Sequence, residues 1–239
     1  MSREENVINF YIICNRLKNT IRTGWIDWNV KRNRLESVAE HIYSTQMLAI
    51  AMKSEYEYDI DIMKVIYMLA IHELGETIIG DLTLFQISKE EKEQIEHEAV
   101  FKILDDLVDK EYIKELFLEF DSQKTKESIF AYQCDKLECD LQSKLYDIEG
   151  CIDLNNQKEN TTMNNPTVKK LLDNGNSFSD MWLKFGQKKY PYDDNFRSVS
   201  SYMIGNNLEN NINVIWSADK LELMPMDEVV SKFFVRVLG

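Results

Sequence analysis

The amino-acid sequence predicts an all-α protein. The chain has 239 residues but only three prolines and eight glycines, and no proline lies in the first 150 residues. Proline removes a backbone N–H and glycine loses the most conformational entropy on folding, so their scarcity favours long helices. Apolar residues also recur at helical spacing, and residues that cap helices precede several of these segments. These observations together predict helices rather than strands.

The first 150 residues contain five predicted helices. The first has apolar residues at helical spacing, and the last has an apolar stripe that should face the core. The second begins at a capping box, in which a serine and a glutamate three residues later satisfy each other's backbone N–H groups. The predicted helices cover about residues 4–19, Ser37 to Met52, Ile60 to Ile71, about 88–108, and about Thr125 to Ile148. The apolar residues are Val7, Ile8, Tyr11, Ile12 and Leu17 in the first helix, and Phe130, Cys134, Leu137, Leu141, Leu145 and Ile148 in the last.

The composition changes after Gly150. Residues Asn155 to Asn165 are polar and predict a loop. Asn165-Pro166 then supplies an N-cap and first-turn pair, and Gly175 a stop, for a short helix. Further predicted elements are a helix around Met181 to Phe185, a helix from Phe196 to Ile204, short strands or extended segments at Asn213 to Trp216 and Leu221 to Leu223, and a helix from Met226 to Leu238.

This pattern predicts one main domain over residues 1–205, with a core in residues 1–150 that the helices of residues 151–205 complete. Residues 206–239 are predicted to be a small C-terminal extension.

Charge and cysteine content narrow the class of protein. The net charge of −13 argues against a nucleic-acid partner, because phosphate backbones need clustered Lys and Arg. No run approaches the roughly 18 apolar residues of a membrane span, and no secretory segment opens the chain. The four cysteines form no C-x-x-C pair, which indicates reduced thiols. We therefore expect a soluble, cytoplasmic protein with no membrane partner.

The segment Ala70 to Asp81 concentrates chemically active side chains at the end of an apolar run. It holds His72, Glu73, Glu76 and Asp81. Carboxylates beside apolar side chains are costly unless a metal ion or hydrogen bonds satisfy them. At helical spacing His72 and Glu76 share one face, and Gly75 leaves room for another backbone or a ligand to come close.

Two further residues fit a metal site when they are taken together with His72. His41 follows the capping box by about one turn, where the helix dipole favours a neutral imidazole. Asp135 flanks the apolar stripe of the last predicted helix, where an acid lining a cleft would lie. Alone, each is more often a surface or structural residue, and His97 is expected on the surface. Two imidazoles with carboxylates suit Zn, Mn, Fe, Co or Ni better than Ca or Mg.

Several motifs, in order, resemble one known family. Ser37-Val38-Ala39-Glu40-His41, Ala70-Ile71-His72-Glu73-Leu74-Gly75-Glu76 with Ile79-Gly80-Asp81, and Cys134-Asp135-Lys136-Leu137-Glu138 resemble the HD superfamily of metal-dependent phosphohydrolases. Within it the chain is most similar to the 5′-deoxynucleotidase-like branch, over roughly residues 5–205. Arg22-Thr23-Gly24-Trp25 resembles that branch's approach to the first histidine. The resemblance implies an HD-domain helical bundle, a divalent transition metal and a homodimer.

The resemblance also assigns roles to individual residues. It implies that the metal ligands are His41, His72, Glu73 and Asp135, and that Glu76 and Asp81 act on the attacking water and the substrate. Glu73 departs from the family pattern, which has Asp there, and its side chain is one methylene longer. Substrate contacts are expected from Arg22, Trp25, Lys31, Arg32, Arg34 and Asp81. For each basic residue of this stretch, a solvated loop position is the alternative.

The function expected is a metal-dependent phosphohydrolase that removes phosphate from nucleotides, chiefly 5′-deoxynucleoside monophosphates. Three alternatives stay open. The same site could hydrolyse nucleoside triphosphates, because pocket depth and loop contacts decide the substrate length. The Glu73 substitution could mark an impaired module that binds a nucleotide or a partner without turnover. The polar residues could also be purely structural ion pairs.

Overall fold

The structure, a computed structural model, describes residues 2–82, 87–206 and 208. Over these residues the regular secondary structure is helical, which confirms the predicted all-α class, and Ile21 pairs with Ser37 in an isolated antiparallel bridge. The helices are α1 (Arg3–Cys14), α2 (Thr23–Asp27), α3 (Val38–Glu55), α4 (Ile62–Ile71), α5 (Glu76–Ile79), α6 (Lys89–Leu104), α7 (Lys110–Ser122), α8 (Lys126–Ile148), α9 (Pro166–Asp173), α10 (Phe178–Lys189) and α11 (Asp194–Met203), with 3₁₀ turns at Asn15–Lys18 and Thr161–Asn164.

The chain forms two compact units, Met1–Ile204 and Gly205–Gly239. All the helices given above belong to the first unit. The sequence-based predictions for Asn213 to Trp216, Leu221 to Leu223 and Met226 to Leu238 lie outside the described residues. None of the described helices combines the length and the apolarity that crossing a bilayer requires.

Helix α8 lies at the centre of the first unit, where it packs against α3, α4, α7, α10 and α11. It begins at a capping box formed by Thr125 and Ser128. Its first half contributes Phe130, Cys134 and Leu137 to the larger core, each at most 2% exposed. A second cluster forms around Trp25 and Trp28. It includes residues of α9 and α10 and Tyr146 from the second half of α8. The long helix therefore joins both cores.

The predicted apolar stripe of α8 is wrong in its second half. Leu145 and Ile148 are 41% and 37% exposed, whereas Lys144 and Tyr146 are buried. The reason is that α10 covers the polar side of this half through specific pairs. Lys144 lies 3.3 Å from Asp180 of α10. Polar pairing with a neighbouring helix, rather than apolar periodicity, decides which face is covered here.

Helix α1 also differs from the expectation. Four of its apolar residues are more than half exposed: Val7, Ile8, Tyr11 and Ile12. The helix instead turns Phe10 and Cys14, one turn apart, towards the core, and the chain continues in a 3₁₀ turn that buries Leu17. Because α1 is apolar on both sides, periodicity alone does not identify its inner face.

Three of the described helices, α2, α5 and α7, were absent from the sequence prediction. Helix α7 buries Ile113, Leu116, Phe117 and Phe120, but no side chain caps its first turn and charged residues surround this stripe. Helix α2 lies in the stretch predicted to be irregular and is only five residues long. By contrast, the helix boundaries set by Ser37, Ser88 and Asn165-Pro166 are confirmed.

Candidate metal centre

Three helices bring together the four residues that the sequence predicts as metal ligands. His41 lies near the start of α3, His72 ends α4, Glu73 follows in the turn before α5, and Asp135 lies midway along α8. One ligand atom from each residue lies within 4.8 Å of all the others. Both histidines and Asp135 are nearly inaccessible to solvent. Residues up to 94 positions apart in sequence thus form one buried cluster of donors.

Local structure explains how the chain delivers these residues. The Ser37 hydroxyl accepts the Glu40 backbone N–H, which fixes the first turn of α3 just before His41. Gly75 allows α6 to approach the turn that carries His72 and Glu73, because a Cβ at this position would lie 2.6 Å from Cγ of Glu96. The close backbone approach expected at Gly75 is therefore observed.

The hydrogen bonding of His72 leaves a buried ring nitrogen that faces the carboxylates of the cluster. Its Nδ1 lies 2.8 Å from the Leu69 carbonyl oxygen, which can only accept, so Nδ1 carries the proton and Nε2 presents a lone pair. That buried Nε2 has no hydrogen-bond partner among the described residues. It lies 3.6 Å from Glu73 Oε1 and 3.9 Å from Asp135 Oδ1. Acceptor atoms that face one another in a buried site are unfavourable unless a proton or a metal ion lies between them, so this arrangement fits a metal site.

His41 is held by a residue that the sequence analysis did not assign to the site. Its Nδ1 donates to Oε2 of Glu138 at 2.6 Å, and its Nε2 lies 3.2 Å from Asp135 Oδ1. Burial favours the neutral ring, but Cys139, Glu138 and Asp135 outweigh it and raise the pKa of His41 well above its ordinary value. The contact with Glu138 is the carboxylate–histidine arrangement common at metal sites. The position of Glu138, three residues after Asp135 on the same helix face, could have indicated it.

The environment of the two carboxylates in the cluster favours their ionised form. Burial acts to raise the pKa of Glu73, but His72 and Arg22 reverse this and lower it to about 2. Burial likewise opposes ionisation of Asp135, and Lys136 with His41 brings the pKa of that carboxyl well below its ordinary value. Burial lowers the pKa of His72 below its ordinary value. Two imidazole nitrogens and two carboxylate oxygens fit a divalent transition metal.

Glu76 and Asp81 lie beside the cluster. Glu76 is 1% exposed, its Oε1 lies 3.4 Å from Lys92 Nζ, and its Oε2 has no hydrogen-bond partner among the described residues. Burial, Glu73 and Asp81 raise the pKa of Glu76 well above its ordinary value. The carboxylate of Asp81 accepts the backbone N–H of Thr23 at 2.6 Å, which ties it to the start of α2.

Four basic residues were predicted to contact the substrate. Of these, Arg22 alone contacts a candidate metal ligand in the described part of the chain. Its Nη1 lies 3.3 Å from Glu73 Oε1. The other three pair elsewhere, Lys31 with Asn29, Arg32 with Glu149 and Arg34 with Glu40. Arg32 and Arg34 line a cavity of about 240 Å³ whose lining contains none of the four ligands. In this structure Lys31, Arg32 and Arg34 therefore contact residues other than the four candidate ligands.

Two lysines not selected from the sequence contact acidic residues at the cluster. Lys92 of α6 contacts Glu76, and Nζ of Lys136 lies 2.7 Å from Oδ2 of Asp135. The only sequence indication was that Lys136 directly follows Asp135.

Trp25, predicted to contact substrate, is 3% exposed in the second core cluster. Its indole N–H donates to Glu36 at 2.6 Å, and its ring lies 5.2 Å from that of Tyr146. In this structure Trp25 supports the segment that carries Arg22 and does not present an open face.

Comparison with known proteins agrees with this geometry. A family model described as "HD domain" matches residues 14–190. The chain belongs to the HD domain family. The matched residues therefore include the four candidate ligands together with Glu76, Asp81 and Glu138.

Three relatives of this HD domain are named as 5′-deoxynucleotidases. The chain is 37% identical over 151 residues to 5′-deoxynucleotidase HDDC2 of Dictyostelium discoideum, a match that covers 59% of this chain and 78% of that protein. It is 34% identical to 5′-deoxynucleotidase hdd1 of Schizosaccharomyces pombe, over 56% of this chain and 68% of the relative. It is 30% identical to human 5′-deoxynucleotidase HDDC2, over 59% and 69% respectively.

Solved structures share the fold. The PH0347 protein of Pyrococcus horikoshii aligns with a TM-score of 0.58 at 22% identity, covering 82% of this chain and 97% of that one. A predicted metal-dependent phosphohydrolase from Magnetospirillum magnetotacticum aligns with a TM-score of 0.59 at 18% identity, covering 88% and 98%. At these identities the likeness concerns the fold alone.

Proposed function

We propose that this HD-domain protein is a metal-dependent phosphohydrolase that removes the phosphate from 5′-deoxynucleoside monophosphates. The observation that carries the proposal is the buried Nε2 of His72, which has no hydrogen-bond partner among the described residues and faces the carboxylates of Glu73 and Asp135. The names of the relatives, all 5′-deoxynucleotidases, support the substrate class. We further propose a cytoplasmic homodimer that takes a small nucleotide as its substrate.

The ligands would be His41, His72, Glu73 and Asp135, and the ion would be Mn, Co, Zn, Fe or Ni. Such an ion, when bound, lowers the pKa of a coordinated water and polarises a phosphoryl oxygen. Glu138 keeps the His41 ring oriented through its 2.6 Å hydrogen bond, so that Nε2 points towards Asp135.

The chain's own residues would handle the protons and the substrate. The Oε2 of Glu76 has no hydrogen-bond partner among the described residues, and burial, Glu73 and Asp81 raise the pKa of this carboxyl, which favours its protonated form. It would orient or deprotonate the attacking water, or protonate the leaving 5′ oxygen. Arg22, already beside Glu73, would donate to the phosphate. Asp81 would accept a hydrogen bond from a sugar hydroxyl.

The test is phosphate release from a panel of deoxynucleoside monophosphates, ribonucleoside monophosphates and deoxynucleoside triphosphates, with Mn, Co or Zn added. Asp135→Asn is the test variant, and Asp59→Asn, at an exposed residue paired with Lys126, is the matched control. We expect metal-dependent release of inorganic phosphate from the deoxynucleoside monophosphates, kept by the control and lost in Asp135→Asn.

Other outcomes would point to the alternatives. Release of triphosphate from the triphosphates would keep the site and change the substrate class. Tight metal or nucleotide binding without turnover with any of the metals would favour a binding module. Full activity in Asp135→Asn would overturn the metal assignment.

A further inference from the structure

Asp135 uses its two carboxylate oxygens on different neighbours. Its Oδ1 lies 3.2 Å from His41 Nε2 and 3.9 Å from His72 Nε2, on the side where the ligand atoms converge. Its Oδ2 lies 2.7 Å from Nζ of Lys136. The Lys136 ammonium group therefore borders the metal cluster directly, although Lys136 is not itself a candidate ligand.

The position of Lys136 is restrained by an aromatic neighbour. Its Nζ lies 5.1 Å from the ring centre of Tyr132, one turn earlier on α8, which is the geometry of a cation–π contact. The Tyr132 ring in turn lies 6.3 Å from that of Tyr190. A lysine held between a carboxylate and an aromatic face loses less rotamer freedom when it binds a ligand.

Lys136 is also the most accessible of the three cations at the cluster. Its side chain is 29% exposed, compared with 21% for Lys92 and 15% for Arg22. Arg22 already donates to both Glu73 and Cys139. Lys136 has three N–H donors, and Asp135 is its acceptor among the described residues, which leaves donors available for a ligand oxygen.

The charges of the cluster favour an anion at this place. Arg22 is paired with Glu73, and Glu138 with His41. Lys92 is paired with the carboxyl group of Glu76. Lys136 adds a further cation beside Asp135, in a partly buried place where a lowered local dielectric strengthens its attraction for an anion.

We propose that Lys136 binds the phosphate group of the substrate beside the metal centre, as a charged donor to a non-bridging phosphate oxygen. This inference rests on the proposed function, because that function puts a phosphate at the cluster. It assigns to α8 two adjacent residues with different tasks, Asp135 towards the ion and Lys136 towards the substrate.

Isothermal titration calorimetry with inorganic phosphate on the Mn-loaded protein tests this without turnover. We expect Lys136→Met to weaken phosphate binding about tenfold or more, since a charge-assisted hydrogen bond is lost, while the Mn stoichiometry is kept. Lys136→Arg should retain most of the affinity. The control is Lys126→Met, which removes an exposed lysine from the same helix and should bind phosphate as the native protein does.

The competing results are distinct. Unchanged phosphate affinity in Lys136→Met, or in Lys136→Gln should the first variant not fold, would overturn the proposal. Loss of Mn in parallel with phosphate would also overturn it, because Lys136 would then only support Asp135. A native protein that binds phosphate through Lys136 but hydrolyses no nucleotide would contradict the proposed function and leave this inference standing.

Discussion

Glu138 accepts a hydrogen bond from Nδ1 of His41 at 2.6 Å, and both side chains are buried. Because a carboxylate can only accept, this contact places a ring proton on Nδ1 and leaves Nε2 facing Asp135. One residue outside the ligand set thereby determines which nitrogen of His41 is available to an ion.

We therefore expect Glu138→Gln to weaken metal binding by about ten- to a hundredfold, the usual effect of losing a carboxylate that orients a ligating histidine. Competition with a fluorescent chelator measures the affinity. Glu127→Gln is a close control, because Glu127 is also buried on α8 but accepts a backbone N–H from Asp61, away from the cluster. Equal metal affinity in both variants would mean that Glu138 does not position His41.

The cluster also predicts different outcomes for two substitutions at Glu73. Glu73→Gln removes the negative charge and should weaken metal binding by more than about a hundredfold, beyond the effect of losing a merely supporting residue. Glu73→Asp keeps the charge but shortens the side chain, so it should still hold metal while losing the contact with Arg22. Metal content after dialysis separates the two. Native metal content in Glu73→Gln would exclude Glu73 from the ligand set.

The sequence was sufficient for the fold class and for the residues that converge on the cluster, because motifs in order identify positions that the fold must bring together. The sequence was not sufficient to identify the basic side chains that lie beside the cluster. Lys31, Arg32 and Arg34 are near Arg22 in sequence but pair elsewhere, whereas Lys92 and Lys136 reach the cluster from α6 and α8. Pairing across helices depends on packing angles and on which face a neighbour covers, which local patterns do not specify.

The same reason explains the errors in the helices. The stripe of α7 was masked by the many charged residues around Phe117 and Phe120. In α8, the exposure of Leu145 follows from the ion pair between Lys144 and Asp180, a contact with a helix more than thirty residues away. Periodicity describes one helix at a time, and these outcomes depend on two.

The close approach at Gly75 gives a stability prediction. A methyl group there would lie 2.6 Å from Glu96 Cγ and 3.2 Å from the Glu96 carbonyl oxygen, so α6 must move in Gly75→Ala. We expect a loss of about 1–3 kcal/mol in the free energy of unfolding, typical of overpacking. Gly24→Ala is the matched control, since no heavy atom lies within 4 Å of its added Cβ. Urea unfolding compares them, and equal stability of the two variants would contradict the close contact.

The last prediction concerns pH and Glu36. This buried carboxyl accepts the Trp25 indole N–H, and burial together with Glu138 raises its pKa from 4.5 to about 7. Between those two values the folded protein keeps a proton that the unfolded chain has lost. Stability contributed by this group is therefore present at low pH and falls as the pH rises from about 4.5 to 7, by at most about 1.4 kcal/mol per pH unit.

Glu36→Gln removes this titration while its amide oxygen can still accept from Trp25. The free energy of unfolding, measured in urea at several pH values from 5 to 8, should thus fall less steeply with pH in the variant than in the native protein. The two curves should differ most above pH 7, where the native carboxylate is charged and buried. Glu57→Gln, at an exposed residue, should reproduce the native slope. If Glu36→Gln has that same slope, the carboxyl of Glu36 is already ionised in the folded protein at pH 5.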